Sequence, residues 1–396
     1  PLSCPGDPTT MRPRLPLAPL IATAFLAALP LPVQSQPAYM VADLSQQIHR
    51  DHEGTPFPME VAELAGVGYF FHDDGIHGSE LWRSDGSALG TYLLRDLCPG
   101  LCGARDLWSF ANVGTAAGVV FFTANDGAHG NELWLTDGSA LGTRMVRDIH
   151  PGPSSSSPTM FTASNGQMFF LADDGQHGRE LWRSDGTAKG TALVDDMSPG
   201  LTQGGISVMA ASQDRLFLSV SEPNPLPGLW VSDGSASGTD RISEISPWSN
   251  AYYKGKPFVV LPNGKLVFWG TPAGIWAPEP WASDGTAAGT GQLADLRPGP
   301  GGSEPWNFVV RGSEVLFSAW VDESSSSPEL WRTDGSSSGT VEIPLPAGLE
   351  LRSTGGLHAL VGSTFYFAGF QSATGLELWK LEGDVASLVR DVRPGA

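Results

Sequence analysis

Apolar residues in this chain come in short runs, broken by Gly, Pro, Asn and Asp; residues 167–172 (QMFFLA) and 179–184 (RELWRS) are typical. Short apolar runs between turn residues predict β-strands. Residues 157–200 resolve into four of them. The first spans 157–163 and ends in Ser164-Asn165-Gly166, a tight turn that favours positive φ. The second spans 167–172, and Asp173-Asp174-Gly175 turns the chain into the third, 179–184, which bears Trp182. A loop opened by Asp185-Gly186 and closed by Gly190-Thr191 leads to the fourth, 192–197, and Pro199-Gly200 ends the unit. Gly and Pro interrupt most windows long enough for a helix. The longest exceptions, 206–222 and 313–327, align with strand positions of the unit.

The unit recurs seven times, centred on Trp82, Trp134, Trp182, Trp230, Trp281, Trp331 and Trp379, at spacings of 52, 48, 48, 51, 50 and 48 residues. A fixed period of this length marks a repeat architecture. Four hairpin-linked strands per repeat suit the blade of a β-propeller, so the sequence predicts an all-β propeller of four-stranded antiparallel blades. The recurring residues have packing and turn roles. Each Trp has roughly 150–250 Å² of surface to bury between blades, and each Asp-Gly supplies an acceptor for loop amides and a residue tolerant of φ > 0.

Three copies are nearly identical: ELWRSDGSALGT (80–91), ELWLTDGSALGT (132–143) and ELWRSDGTAKGT (180–191). They resemble the bacterial ELWxxDGT repeat proteins, a family named for this motif. The resemblance covers residue 39 to the last residue and implies a secreted or surface-exposed repeat protein; it implies no catalytic residue. Later copies drift: GLWVSDGSASGT (228–239), EPWASDGTAAGT (279–290), ELWRTDGSSSGT (329–340), and last ELWKLEGDVASL (377–388).

In chain order, residues 1–10 read as an upstream segment. Residues 11–35 read as a secretory signal, with Arg12 and Arg14 before an apolar run at 20–29 too short to span a bilayer. Cleavage is expected after Ser35, leaving 36–396 as one domain of seven repeats. Residues 1–35 hold two basic and one acidic residue, so a chain from Gln36 carries 21 basic and 41 acidic residues, net −20. That charge opposes binding to phosphate backbones or anionic membranes and suits solubility and divalent cations. No apolar run beyond the signal is long enough for a membrane span. Of three Cys, Cys98 and Cys102 lie in one loop, CPGLC, and in an oxidising compartment they are expected to pair. Residues 39–44 (YMVADL) match the fourth-strand pattern of 93–97 (LLRDL), 145–149 (MVRDI) and 388–392 (LVRDV). One strand is then surplus for a plain seven-bladed ring. Arg393-Pro394-Gly395 matches the start of a further repeat, so seven blades are favoured and eight stay open.

The sharpest polar constellation is the loop between second and third strands, DDGIHG (73–78), NDGAHG (125–130) and DDGQHG (173–178). Asp74, His77, Asp126, His129, Asp174 and His177 are therefore the candidate ligand-binding residues. They suit a sugar or a divalent cation such as Ca2+, with no cofactor required and the metal itself unknown. The competing reading is turn chemistry, repeated because the hairpin is repeated. Two further carboxylate rows recur: one on the fourth strand (Asp43, Asp96, Asp148, Asp196, Glu244, Asp295, Asp391) and one two residues before the Trp (Glu80, Glu132, Glu180, Glu279, Glu329, Glu377). A carboxylate in almost every repeat suggests hydrogen bonds to loop amides rather than a glycosidase pair. No H-E-x-x-H, P-loop or dinucleotide fingerprint occurs. The expectation is a secreted, non-catalytic binding scaffold for an extracellular protein or polysaccharide, not for nucleic acid. The alternative is a secreted glycan-active hydrolase or lyase with its site at the propeller channel.

Overall fold

The computed structural model describes residues 61–100, 104, 113–200, 205–220, 227–247, 258–272, 277–299, 301–322, 325, 327–352, 358–392 and 394. They belong to one compact unit, Val41–Ala396. The upstream segment, the signal and residues 39–44 lie outside them.

Among the described residues there are seven antiparallel sheets and no α-helix; Ala236–Gly238 forms a single 3-10 turn. Sheet 1 is Val61–Leu64, Val67–Asp73, Ser79–Ser84 and Tyr92–Arg95. Sheet 2 is Val113–Ala116, Val119–Asn125, Asn131–Thr136 and Arg144–Arg147. Sheet 3 is Thr159–Ser164, Gln167–Asp173, Arg179–Ser184 and Ala192–Asp195. Sheet 4 is Ile206–Ala211, Leu216–Val220, Gly228–Ser232 and Thr239–Ser243. Sheets 5, 6 and 7 have their third strands at Glu279–Ser283, Glu329–Thr333 and Gly375–Glu382. Strands follow one another across each sheet in chain order. In sheets 5 and 7 the first position is shared by two pieces, Ser246–Pro247 with Phe258–Val260 and Glu350–Leu351 with His358–Val361.

The expected fourth strand, 192–197, stops at Asp195. Leu181 pairs with Asp195 and Trp182 with Leu193, so Val194 is the extra residue of a β-bulge. The same register shift lies beside Trp82, Trp134, Trp230 and Trp379. A bulge re-aims side chains, and here Val194 joins Phe169, Leu171 and Leu181 against sheet 4, while Leu193 packs with Trp182 against sheet 2.

The hydrophobic core lies between sheets. The adjacent residues Phe121 and Phe122 are both fully buried, Phe121 against sheet 3 and Phe122 against sheet 1. A strand buried on both faces reads as a continuous apolar run, which is why the second strands do not alternate. Each cluster joins two consecutive sheets. Trp134 and Trp182 are buried against the sheet before their own, as is Trp379, and Trp230, Trp281 and Trp331 are half-buried in the same way. Trp82 is buried too but belongs to none of these clusters. From sheet 1 to sheet 6 the first strands of consecutive sheets lie side by side.

Candidate functional site

The Glu row is structural. Glu80 accepts the Leu97 and Cys98 amides at 3.1 and 3.0 Å, and Glu180 those of Met197 and Ser198 at 3.2 and 3.1 Å. Glu132 and Glu279 hold the same place and add a serine hydroxyl at 2.6 Å, from Ser156 and Ser303. All four are buried, and burial pushes their carboxyls up, to about 7 for Glu80 and Glu180. The connection they hold then reaches the next sheet, where the Ala104, Ser156 and Ser303 carbonyls accept the amides of Asn125, Asp173 and Trp320. Glu80, Glu132 and Glu279 in this way clamp sheet to sheet.

The Asp-Gly hairpin is a closed hydrogen-bonded cage. Asp185 Oδ1 accepts from the amide and hydroxyl of Thr187, the Thr187 hydroxyl accepts from Gly190 N, and Ser184 Oγ meets Thr191 Oγ1 at 2.7 Å. The same bonds recur around Asp85, Asp137, Asp233, Asp284 and Asp334. With these glutamates and the Asp-Gly hairpin aspartates committed to the scaffold, the exposed polar chemistry narrows to the hairpins between second and third strands.

In these hairpins the first side chain, Asp73, Asn125 or Asp173, closes the turn, and the Asp that follows holds the histidine. Asp174 Oδ1 accepts the Gln176 and His177 amides at 2.9 Å, and its Oδ2 lies 2.8 Å from His177 Nδ1. Asp74 with His77 and Asp126 with His129 repeat the geometry at 2.7 and 2.8 Å. The imidazoles are 37, 40 and 38 % exposed, whereas Asp74 and Asp174 are largely covered. With Nδ1 engaged, Nε2 is the nitrogen left to a ligand. The Asp hydrogen bond raises each histidine above its ordinary value of 6.5, and Asp96, Asp148 and Asp196 on the fourth strands add to the effect. Burial alone would raise the partner Asp74, but hydrogen bonds from the His77 amide and ring and the Ile76 amide outweigh it and hold the carboxyl below its usual range.

Sequence reasoning placed Asp96, Asp148 and Asp196 among the repeated carboxylates, not at the site. The structure brings each near the histidine of its own repeat and leaves its Oδ1 buried without a hydrogen-bond partner among the described residues. The sequence offered no signal for this, since the fourth-strand carboxylate also stands in repeats without the histidine, at Glu244, Asp295 and Asp391. The end of one sheet also supports the hairpin of the next. Cys98 Sγ lies beneath Gly127, and His150 Nε2 beneath Gly175. Cys98 is disulfide-bonded, and Cys102, its expected partner, lies outside the described residues. Among the described residues no group of three or more His, Cys, Asp or Glu side chains converges to hold a metal ion. No helix among them is long and apolar enough to cross a membrane.

No protein-family model matches this sequence, and no curated protein matches it as a relative. Among solved structures, the chain is similar to a puromycin hydrolase at 14 % identity and a TM-score of 0.45, covering 86 % of this chain and 54 % of that one. It is similar to the acylaminoacyl peptidase of Pyrococcus horikoshii at 10 % identity and TM-score 0.37, covering 85 % and 52 %. It is also similar to the β-propeller domain of the Trilobed protease from Pyrococcus furiosus at 12 % and 0.37, covering 70 % and 83 %. The chain thus spans about half the length of the two whole hydrolases. The fold is all-β and propeller-like. These neighbours correct the expectation of a non-catalytic binding scaffold, because they are hydrolases. The physical reason is that repeated packing and turn residues report the scaffold and are silent on the chemistry carried on it.

Proposed function

We propose that the protein takes part in hydrolysis, with the Asp-held imidazoles of sheets 1 to 3 acting as general bases toward a substrate bound along that end of the sheets. One observation carries the reading: the dyad repeated on three consecutive sheets, Asp Oδ2 at 2.7–2.8 Å from His Nδ1 with the ring open to solvent. A carboxylate on Nδ1 fixes the tautomer that offers Nε2 as proton acceptor and stabilises the cation formed on proton transfer. In this reading the seven sheets are propeller blades, the chain is an exported ELWxxDGT-type protein, Cys98 pairs with Cys102, and the substrate is an extracellular polypeptide or polysaccharide.

The test is an assay on chromogenic peptide, ester and glycoside substrates from about pH 5 to 9, with and without calcium. Turnover is expected to climb with pH through a value above 6.5, because the histidines lose their proton later than usual. Exchanging His77, His129 and His177 together for Asn should lower it about a hundredfold or more with folding intact. A parent inert on every substrate, or a triple variant as active as the parent, rejects the proposal.

A further inference from the structure

The seam between the first strands of consecutive sheets is apolar until sheets 6 and 7, where it turns polar. In sheets 2 to 6 one first-strand residue lies beside the second-strand residue that pairs with the motif Trp: Val113 with Phe122, Phe161 with Phe170, Met209 with Leu218, Phe258 with Phe268 and Phe308 with Phe317. Each packs against the preceding sheet. In sheet 7 that place belongs to His358, paired with Phe367 and 5.8 Å from the Phe365 ring. The position facing it changes too. Thr159–Ser164 and Trp306–Arg311, the first strands of sheets 3 and 6, each carry a side chain on left-handed backbone, Met160 at φ 59° and Asn307 at φ 58°. Met160 packs with Met209 in the core between sheets 3 and 4. Between sheets 6 and 7 the same two places hold Asn307 and His358.

A cleft opens at this point. Its floor is apolar: Trp306 and Leu330 of sheet 6 with Leu351, Phe365 and Phe367 of sheet 7, none more than 7 % exposed. Asn307, Ser318, Arg352 and His358 are the polar side chains that line it with them. Among the described residues neither the Asn307 amide nor the His358 ring has a hydrogen-bond partner. Thr123 and Ser219 hold the place of Ser318 in their own sheets and donate to the Pro158 and Pro247 carbonyls at the start of the next sheet. Ser318 makes no such bond among the described residues. Arg352 lies over the Phe370 ring, 4.6 Å from its centroid, and Glu350 meets its guanidinium at 2.9 Å. With its open mouth the cleft measures about 410 Å³, a size usual for small-molecule sites. Pro328, in the hairpin between the second and third strands of sheet 6, also lines it, so the cleft lies at the hairpin end of that sheet.

We propose that the cleft between sheets 6 and 7 binds an uncharged pyranose ring, with Asn307, Ser318, Arg352 and His358 as its hydrogen-bonding residues. The polar set is matched to hydroxyls. Burial holds His358 below its ordinary 6.5, so at neutral pH the ring is uncharged and offers one donor and one acceptor. Asn and Ser side chains also both donate and accept, as each sugar hydroxyl does. The apolar floor suits the C–H face of the ring. An anion is poorly served, because Glu350 already meets the Arg352 charge and the chain carries a net −19. An aromatic peptide side chain would cover the floor but leave Asn307, Ser318 and His358 unmatched, at the cost of burying polar groups without partners. The inference is independent of the hydrolysis proposed for sheets 1 to 3.

The test is saturation-transfer NMR on the full chain with glucose, galactose, mannose and N-acetylglucosamine, each as the monosaccharide and as its β-1,4-linked disaccharide. At least one should bind saturably, with a Kd of about 1 mM or tighter. Asn307→Met with His358→Met installs the pair that the fold accepts between sheets 3 and 4, and should weaken binding about tenfold or more through the lost hydrogen bonds. Exchanging His77, His129 and His177 for Asn should leave sugar binding unchanged, which separates this site from the hydrolytic one. Should the double variant fold poorly, the imidazole signals of the parent are followed instead. The His358 signal, assigned with His358→Gln, should move on sugar addition while those of the hairpin histidines stay. A disaccharide that binds more tightly than its monosaccharide assigns the cleft to a glycan chain, and equal binding assigns it to the free sugar; both uphold the proposal. It is overturned if no probe binds, if the double variant binds like the parent, or if sugar moves the hairpin histidines and not His358. Saturable binding of the tripeptide Gly-Phe-Gly that the double variant loses overturns it as well, because a peptide is then the ligand.

Discussion

At the residue scale, the buried glutamates set two opposing forces against each other. Burial penalises their charge, while the backbone amides they accept favour it, and burial wins at Glu80 and Glu180, whose carboxyls reach about 7 against an ordinary 4.5. A folded-state value raised above the unfolded one means the folded protein holds the proton more tightly. The stabilisation is full below 4.5 and is lost as pH rises through about 7. The parent should therefore lose about 3 kcal/mol per site between about pH 5 and 8 relative to a Glu80→Gln, Glu180→Gln variant. Urea unfolding across that range reads the difference, and parallel pH profiles would show that the two carboxyls titrate as in the unfolded chain. A second residue-scale prediction concerns the turn cage. A Cβ at Gly190 would fall 2.1 Å from Asp185 Oδ1, inside the cage that Thr187 closes. Gly190→Ala should cost about 1–3 kcal/mol in denaturant unfolding, as overpacking does. An unaltered midpoint would mean that the carboxylate moves aside freely.

At the element scale, the bulge beside the motif Trp makes one short fourth strand serve two cores. Leu193 packs toward sheet 2 with Trp182, and Val194 packs toward sheet 4. Trp182 also lies under the Arg147 guanidinium of sheet 2, 5.7 Å from its ring, and Arg147 reaches on to the Thr191 carbonyl. Trp182→Ala should therefore cost about 3–5 kcal/mol, the loss expected for a buried aromatic. Calorimetry or urea titration would measure it, and a loss below about 1 kcal/mol would place the side chain outside the core. Strand order, turn positions and the seven Trp were all legible in the sequence, because hairpins are local and the period repeats them. The bulge was not, since two consecutive apolar residues on a short strand do not reveal which face each will take.

At the scale of the whole molecule, stability is passed from sheet to sheet, each cluster joining two neighbours. A chain of nearest-neighbour interfaces opens most easily where an interface is missing. Amides of Val385–Arg390 should then exchange with deuterium before those of Ala192–Asp195, which sit at the same place in sheet 3 with cores on both sides. Mass-spectrometric exchange at residual native stability decides it. Equal protection would mean that the outward face of sheet 7 is covered in solution.

The sequence by itself determined the strand content, the hairpin turns, the period and the equivalence of the seven Trp, because each follows from local alternation, Gly and Asp chemistry and simple recurrence. It also marked Asp74, His77, Asp126, His129, Asp174 and His177 as the histidine-bearing hairpins. Only the tertiary structure decided which repeated carboxylates are buried clamps and which stand by an exposed imidazole, because desolvation at Glu80 and Glu180 depends on neighbours remote in the chain. It alone decided, too, that Leu378, Val389 and Val392 lack the cover that Leu181, Val194 and Met197 have at the same places in sheet 3. Identical motifs acquire different surroundings once the sheets are set in order, and those surroundings are contacts that no single repeat encodes.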